Sequence, residues 1–167
     1  MATTYTLIAS VTVGSGGAAN IEFTSIPATY TDLLLKLSTR TTRSVNTDSN
    51  KLTVNSASAY SLRFLYGNGS SAASATDTAL SDYTNNDAQT SNTFGNSEWY
   101  IPNYLSSGNK SVSIDAVTEN NATSAITQLA AGLITTSSAI TSITIVSYEG
   151  FNFKQYSTAY LYGISNA

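Results

Sequence analysis

The stretch Lys110-Ser111-Val112-Ser113-Ile114-Asp115-Ala116-Val117-Thr118 alternates polar and apolar side chains almost without a break. A period of two marks a half-buried β-strand, because successive side chains leave a strand on opposite sides. The same period recurs along the chain. Residues 3–13 set Tyr5, Leu7, Ala9, Val11 and Val13 against Thr4, Thr6, Ser10 and Thr12. Near 19–25, Ile21 and Phe23 are expected inside and Glu22 outside, and Pro27 ends the run. Residues 32–39 place Leu33, Leu35 and Leu37 opposite Leu34, Lys36 and Ser38. Further strands are expected near 50–55, 59–66, 97–101, 139–149 and 156–164. Tyr60, Leu62, Phe64 and Tyr66 share one face of the second of these, and Tyr156, Thr158, Tyr160, Tyr162 and Ile164 share one face of the last. Residues 124–135 fit a helical stripe through Ile126, Leu129, Ala130 and Leu133, and a strand through Leu129, Ala131 and Leu133. The flanking Thr residues and Gly132 favour the strand.

Runs about ten residues apart, separated by turns such as Gly14-Ser15-Gly16-Gly17 and Ser106-Ser107-Gly108-Asn109, predict an all-β fold. The expected architecture is a β-sandwich or jelly roll of about eight to ten antiparallel strands. A length of 167 residues makes one domain, 1–167, the expectation. The segment 67–96 stands apart, since Leu80, Tyr83 and Phe94 are its only large apolar residues. It is read as a long polar surface loop, an excursion ordered by a neighbouring subunit.

Composition narrows the chemistry. Only 10% of residues are charged, and Ser and Thr contribute 26 and 25. Thr is β-branched, so it suits the solvent side of a strand without carrying charge. The sequence has no His and no Cys, which excludes a Ser-His-Asp triad, a thiol nucleophile, a zinc finger and a haem ligand. Gly14-Ser15-Gly16-Gly17-Ala18-Ala19 matches a dinucleotide fingerprint in form, but no helix opens there to hold a pyrophosphate. Ser107-Gly108-Asn109-Lys110 matches S-x-x-K, yet sits in a turn and is followed by no K-T-G. A calcium loop counted from Asp87 to Glu98 has Asn92 where glycine is required. No enzyme activity, cofactor or metal is expected.

The first residues lack the basic and apolar regions of a signal peptide, and apolar runs such as Leu33-Leu34-Leu35 fall far short of a membrane span. Synthesis and assembly in the cytoplasm, with no membrane partner, are the expectation. The few charges are segregated. Lys36, Arg40, Arg43, Lys51 and Arg63 face only Asp48 within residues 36–63. Asp77, Asp82, Asp87, Glu98, Asp115 and Glu119 face only Lys110 within residues 77–119. This pattern fits solvated loops of differing sign, or one subunit's basic region meeting another's acidic region, with Lys36, Arg40, Arg43, Asp82 and Asp87 as candidate contacts. An acidic chain with sparse basic residues is not expected to bind nucleic acid. Trp99 and Tyr100, with Tyr83 and Tyr66, are read first as half-buried core aromatics, and as the alternative an aromatic platform that stacks on a sugar.

Four stretches resemble small virion proteins of tailed bacteriophages: residues 21–33, Tyr66-Gly67-Asn68-Gly69-Ser70-Ser71, Ile101-Pro102-Asn103-Tyr104, and the closing Tyr156-Ser157-Thr158-Ala159-Tyr160-Leu161-Tyr162-Gly163-Ile164. Such proteins are similar to head decoration (cement) proteins and to head or tail fibre domains. The resemblance implies a jelly-roll-like sandwich, often a homotrimer, on the capsid surface of a virion, with the major capsid protein as partner. It carries over no catalytic residue. The leading expectation is a decoration protein that binds and stabilises the shell, and the alternative is a fibre domain recognising host glycans.

Overall fold

The computed structural model describes residues 4–45, 47–55, 59–119, 121 and 125–165. Thr3 and Ser124, at the starts of two expected strands, lie outside the described residues. Among the described residues, twelve strands run in chain order: β1 (Tyr5–Thr12), β2 (Asn20–Phe23), β3 (Asp32–Thr39), β4 (Asp48–Val54), β5 (Tyr60–Gly67), β6 (Ala72–Asp77), β7 (Leu80–Thr84), β8 (Gly95–Ile101), β9 (Lys110–Val117), β10 (Thr127–Ile134), β11 (Ile143–Ser147) and β12 (Thr158–Ile164). They form an eight-stranded sheet, β1-β12-β3-β8-β9-β10-β5-β6, and a four-stranded sheet, β2-β11-β4-β7. Every pairing between these strands is antiparallel. The chain is thus an all-β protein of the sandwich kind.

The alternation seen in the sequence becomes burial. In β9, Val112, Ile114 and Ala116 are buried while Ser111, Ser113 and Asp115 are exposed. Leu33, Leu35 and Leu37 of β3 face Ile21, Leu52, Val54, Ile143 and Ile145 within one apolar core with Trp99, Ile101, Tyr104 and Phe153. Burying each such large side chain is worth about 1.5–3 kcal/mol. Within the ambiguous stretch, Thr127–Ile134 form the strand β10, and its inward residues are Gln128, Ala130, Gly132 and Ile134. Leu129 therefore points outward. In β1 the pairing with β12 shifts between Leu7 and Ala9. This bulge inverts the face, so Tyr5 and Leu7 are exposed while Ile8, Ala9 and Val11 pack against the core.

The segment 67–96 is not a surface excursion. β6 turns back along β5 through an Asn68 side chain that accepts from the Ser70 and Ser71 amides at 3.0 and 2.9 Å. The chain then crosses to the other sheet, where β7 pairs with β4. Five residues of β7 and its exit, Leu80, Asp82, Thr84, Asn85 and Asn86, are essentially buried. Polar residues can fill these inward sites because partners await them. Asn50 Nδ2 and Trp99 Nε1 each donate to Asp82 at 2.7 Å. Thr39 Oγ1 lies 2.7 Å from Thr84 Oγ1 and donates to Asn50 Oδ1 at 3.0 Å. This chain of groups ties the two sheets together.

Candidate functional site

The residues singled out for their charge are mostly spent inside the subunit. Lys36 Nζ meets Glu98 at 2.8 Å across neighbouring strands, and the Glu98 carboxylate raises the ammonium's pKa. Arg40 is 4% exposed. Its guanidinium donates to the carbonyls of Gln89, Thr90 and Thr93 at 2.8–3.1 Å and to Asp87 at 3.4 Å. Asp87 is also held by Lys154 Nζ at 2.8 Å. Arg43 pairs with Glu149 at 3.3 Å. Lys36–Glu98 and Arg40–Asp87 each join the basic region to the acidic one within a single chain. Part of the complementarity read from the sequence is therefore met within the chain. Arg40 and Asp82 have no surface to offer a partner; they organise the interior.

The aromatic platform read as the alternative is not assembled either. Trp99 is fully buried and its indole N–H is committed to Asp82. Tyr100, the next residue in β8, points to the opposite side, where its hydroxyl donates to Asp32 Oδ2 at 2.8 Å. Adjacent strand residues cannot stack on one ligand face. Tyr83 lies elsewhere, with its ring 6.1 Å from that of Tyr66, which is in turn 5.7 Å from Phe64.

Two surfaces remain. The first is the outward face of the eight-stranded sheet. The strand register aligns Leu7, Tyr162, Leu34, Tyr100, Ser113, Ala131, Arg63 and Thr76 in one row across all eight strands. The adjacent row reads Ser10, Tyr160, Lys36, Glu98, Asp115, Leu129, Leu65 and Ser74. Leu65 and Leu129 are direct partners and each is 60% exposed. They line a shallow trough of about 760 Å³ bounded by Arg63, Ser74, Thr76, Ser113 and Ala131. Tyr5, Leu7 and Tyr160 are exposed at the other end of the same face. An apolar pair in register on an uncovered sheet is a feature that marks interaction sites.

The second is a cleft of about 370 Å³ where the β5–β6 hairpin overhangs the outward side of the four-stranded sheet. Phe64, Tyr83 and Tyr148 supply aromatic walls, and Arg43, Ser49, Asp77, Ser81 and Glu149 supply polar groups. Gln128 fixes the geometry. Its Oε1 accepts from the Tyr83 amide at 3.0 Å and its Nε2 donates to the Ser81 carbonyl at 3.1 Å. One side chain thus does for β7 what a neighbouring strand would do. Burial pushes the Tyr83 hydroxyl up from its usual pKa, and the Asp77 carboxylate does the same to Tyr148. Among the described residues, no cluster of three or more His, Cys, Asp or Glu could hold a metal ion.

The sequence reading missed both surfaces. The register of Leu65 with Leu129 needs the pairing of β5 with β10, which no local pattern encodes. The cleft draws on β4, β5, β6, β7, β10, residues between β3 and β4 and the turn after β11, and of its lining only Arg43 and Tyr83 had been singled out as site candidates. Compared with known proteins, the chain matches no protein family, no curated protein and no solved structure.

Proposed function

We propose that this protein is a binding module of structural type, which docks on a larger assembly through the outward face of its eight-stranded sheet. Within that class, the proposed role is a capsid decoration (cement) protein of a tailed-phage virion. It would bind the major capsid protein as a homotrimer at the shell surface, with no catalytic step. The carrying observation is the open face itself, with Leu65 and Leu129 in register at one end and Tyr5, Leu7 and Tyr160 at the other. Lys36 and Glu98 cross its middle as an ion pair, and Arg63 and Asp115 are the other charges in the two rows. The resemblance of four stretches to phage virion proteins supports the particular assignment.

The test is co-sedimentation with purified shells lacking the protein. Wild type is expected to be retained near a fixed ratio to the shell subunit. A Leu65→Asp/Leu129→Asp variant, changed only on the exposed side, is expected to bind at least about tenfold more weakly, equivalent to about 1.4 kcal/mol. Equal retention of the two proteins would overturn the assignment of this face.

A further inference from the structure

We infer that the cleft beneath the β5–β6 hairpin binds an uncharged saccharide. This goes beyond shell docking and uses a separate surface. The volume of about 370 Å³ falls in the range of small-ligand sites. Its aromatic walls come from three separate elements: Phe64 from β5, Tyr83 from β7 and Tyr148 from the turn after β11. Fixed rings of this kind match the apolar C–H faces of a sugar ring, while the hydroxyls at its rim need both donors and acceptors.

Both kinds of partner are present. Asp77 and Glu149 accept, Arg43 donates, and the hydroxyls of Ser49, Ser81, Tyr83 and Tyr148 can do either. One donor is conspicuous. Arg43 lines the cleft, its Nη1 is engaged by Glu149, and its Nε is buried with no hydrogen-bond partner. A buried donor left unpaired is costly, and a ligand hydroxyl oxygen would satisfy it only with a shift of the Arg43 side chain, since the atom itself is closed to solvent. The charged groups of the lining are Arg43, Asp77 and Glu149, with Arg43 closed on Glu149 at 3.3 Å. An anionic ligand would find no net opposite charge there. The trough around Leu65 and Leu129 has no such set of acceptors, so the two surfaces differ in the ligand chemistry they fit.

The experiment is a titration of the ¹⁵N-labelled protein with glucose, galactose, N-acetylglucosamine and lactose, followed by amide shifts, with sialic acid and glucosamine as charged controls. A neutral sugar is expected to bind with a dissociation constant of about 1 mM, or within about tenfold of it. Shifts should centre on Ser49, Phe64, Ser81, Tyr83, Gln128 and Tyr148. Tyr148→Ala, at an exposed ring, is expected to weaken binding about tenfold or more, and Tyr83→Phe, which keeps the ring, about threefold. Both variants should keep the wild-type spectrum elsewhere and bind shells normally, while Leu65→Asp/Leu129→Asp should keep its sugar affinity. No binding by any neutral sugar at 50 mM (roughly fifty times the expected constant) would overturn the inference. So would equal affinity in Tyr148→Ala, or tighter binding of a charged control.

Discussion

Asp82 makes the stability of this protein depend on pH in the direction opposite to a salt-bridged carboxylate. It is completely buried between the sheets, and the loss of hydration pushes its pKa from 3.8 up to about 6, against the pull of hydrogen bonds from Ser97, Trp99 and Asn50. A group whose folded pKa exceeds its unfolded value holds its proton more tightly in the native state. Its stabilising effect is therefore complete below pH about 4 and is lost as pH rises through about 6. The difference between 3.8 and about 6 corresponds to about 3 kcal/mol. The perturbation is Asp82→Asn, which removes the titration while keeping size and polarity. The assay is urea unfolding of both proteins at half-unit steps from pH 3.5 to 8. Subtracting the variant's stability from that of wild type cancels the carboxylates they share. The difference should favour wild type most near pH 4, decline by about 3 kcal/mol, and level off above pH about 7. A difference that is flat, or that rises with pH, would refute the idea that desolvation outweighs the three donors.

Arg40→Met should cost about 2–4 kcal/mol in urea unfolding, because three carbonyls and Asp87 lose their shared donor. Amide exchange should accelerate first at residues 86–93, and a cost below about 1 kcal/mol would show that the guanidinium does not organise that loop. Lys36→Ala removes an ion pair whose side chains are about half exposed, so its cost should stay within about 1 kcal/mol and fall with added salt. Gly163→Val should be far more disruptive, since even a Cβ at that site would overlap the ring of Tyr30. A loss of about 1–3 kcal/mol or more is expected by thermal unfolding, and an unchanged midpoint would mean that Tyr30 can move aside.

How much of this was legible follows from the physics of strands. Wherever large apolar residues occupied every second position, as in β3 and β9, the sequence pattern sufficed. It failed at β7, where Asp82 and Thr84 take inward sites. A polar residue is tolerated there only because Asn50, Trp99 and Thr39, all distant in sequence, complete its hydrogen bonds. It failed at β6, an edge strand of Ala, Ser and Thr with almost nothing to bury. In β1 the alternation was real, but the bulge after Leu7 reversed its meaning. Trp99 is different, since the signal was available. It alternates with Tyr100 and lies on the side of Ile101, so period two already placed it in the core. The charge segregation was also real, and within the subunit the fold brings Lys36 to Glu98 and Arg40 to Asp87.

The proposed role is tested most directly by a cryo-EM reconstruction of the virion that carries this protein. The account predicts density for the eight- and four-stranded sandwich on the capsid exterior at regular symmetry positions. The face bearing Leu65 and Leu129 should be turned toward the shell, and the cleft at Tyr83 and Tyr148 should remain open to solvent. Density confined to the tail tip, or a sandwich standing on the shell with that sheet face turned to solvent, would contradict it.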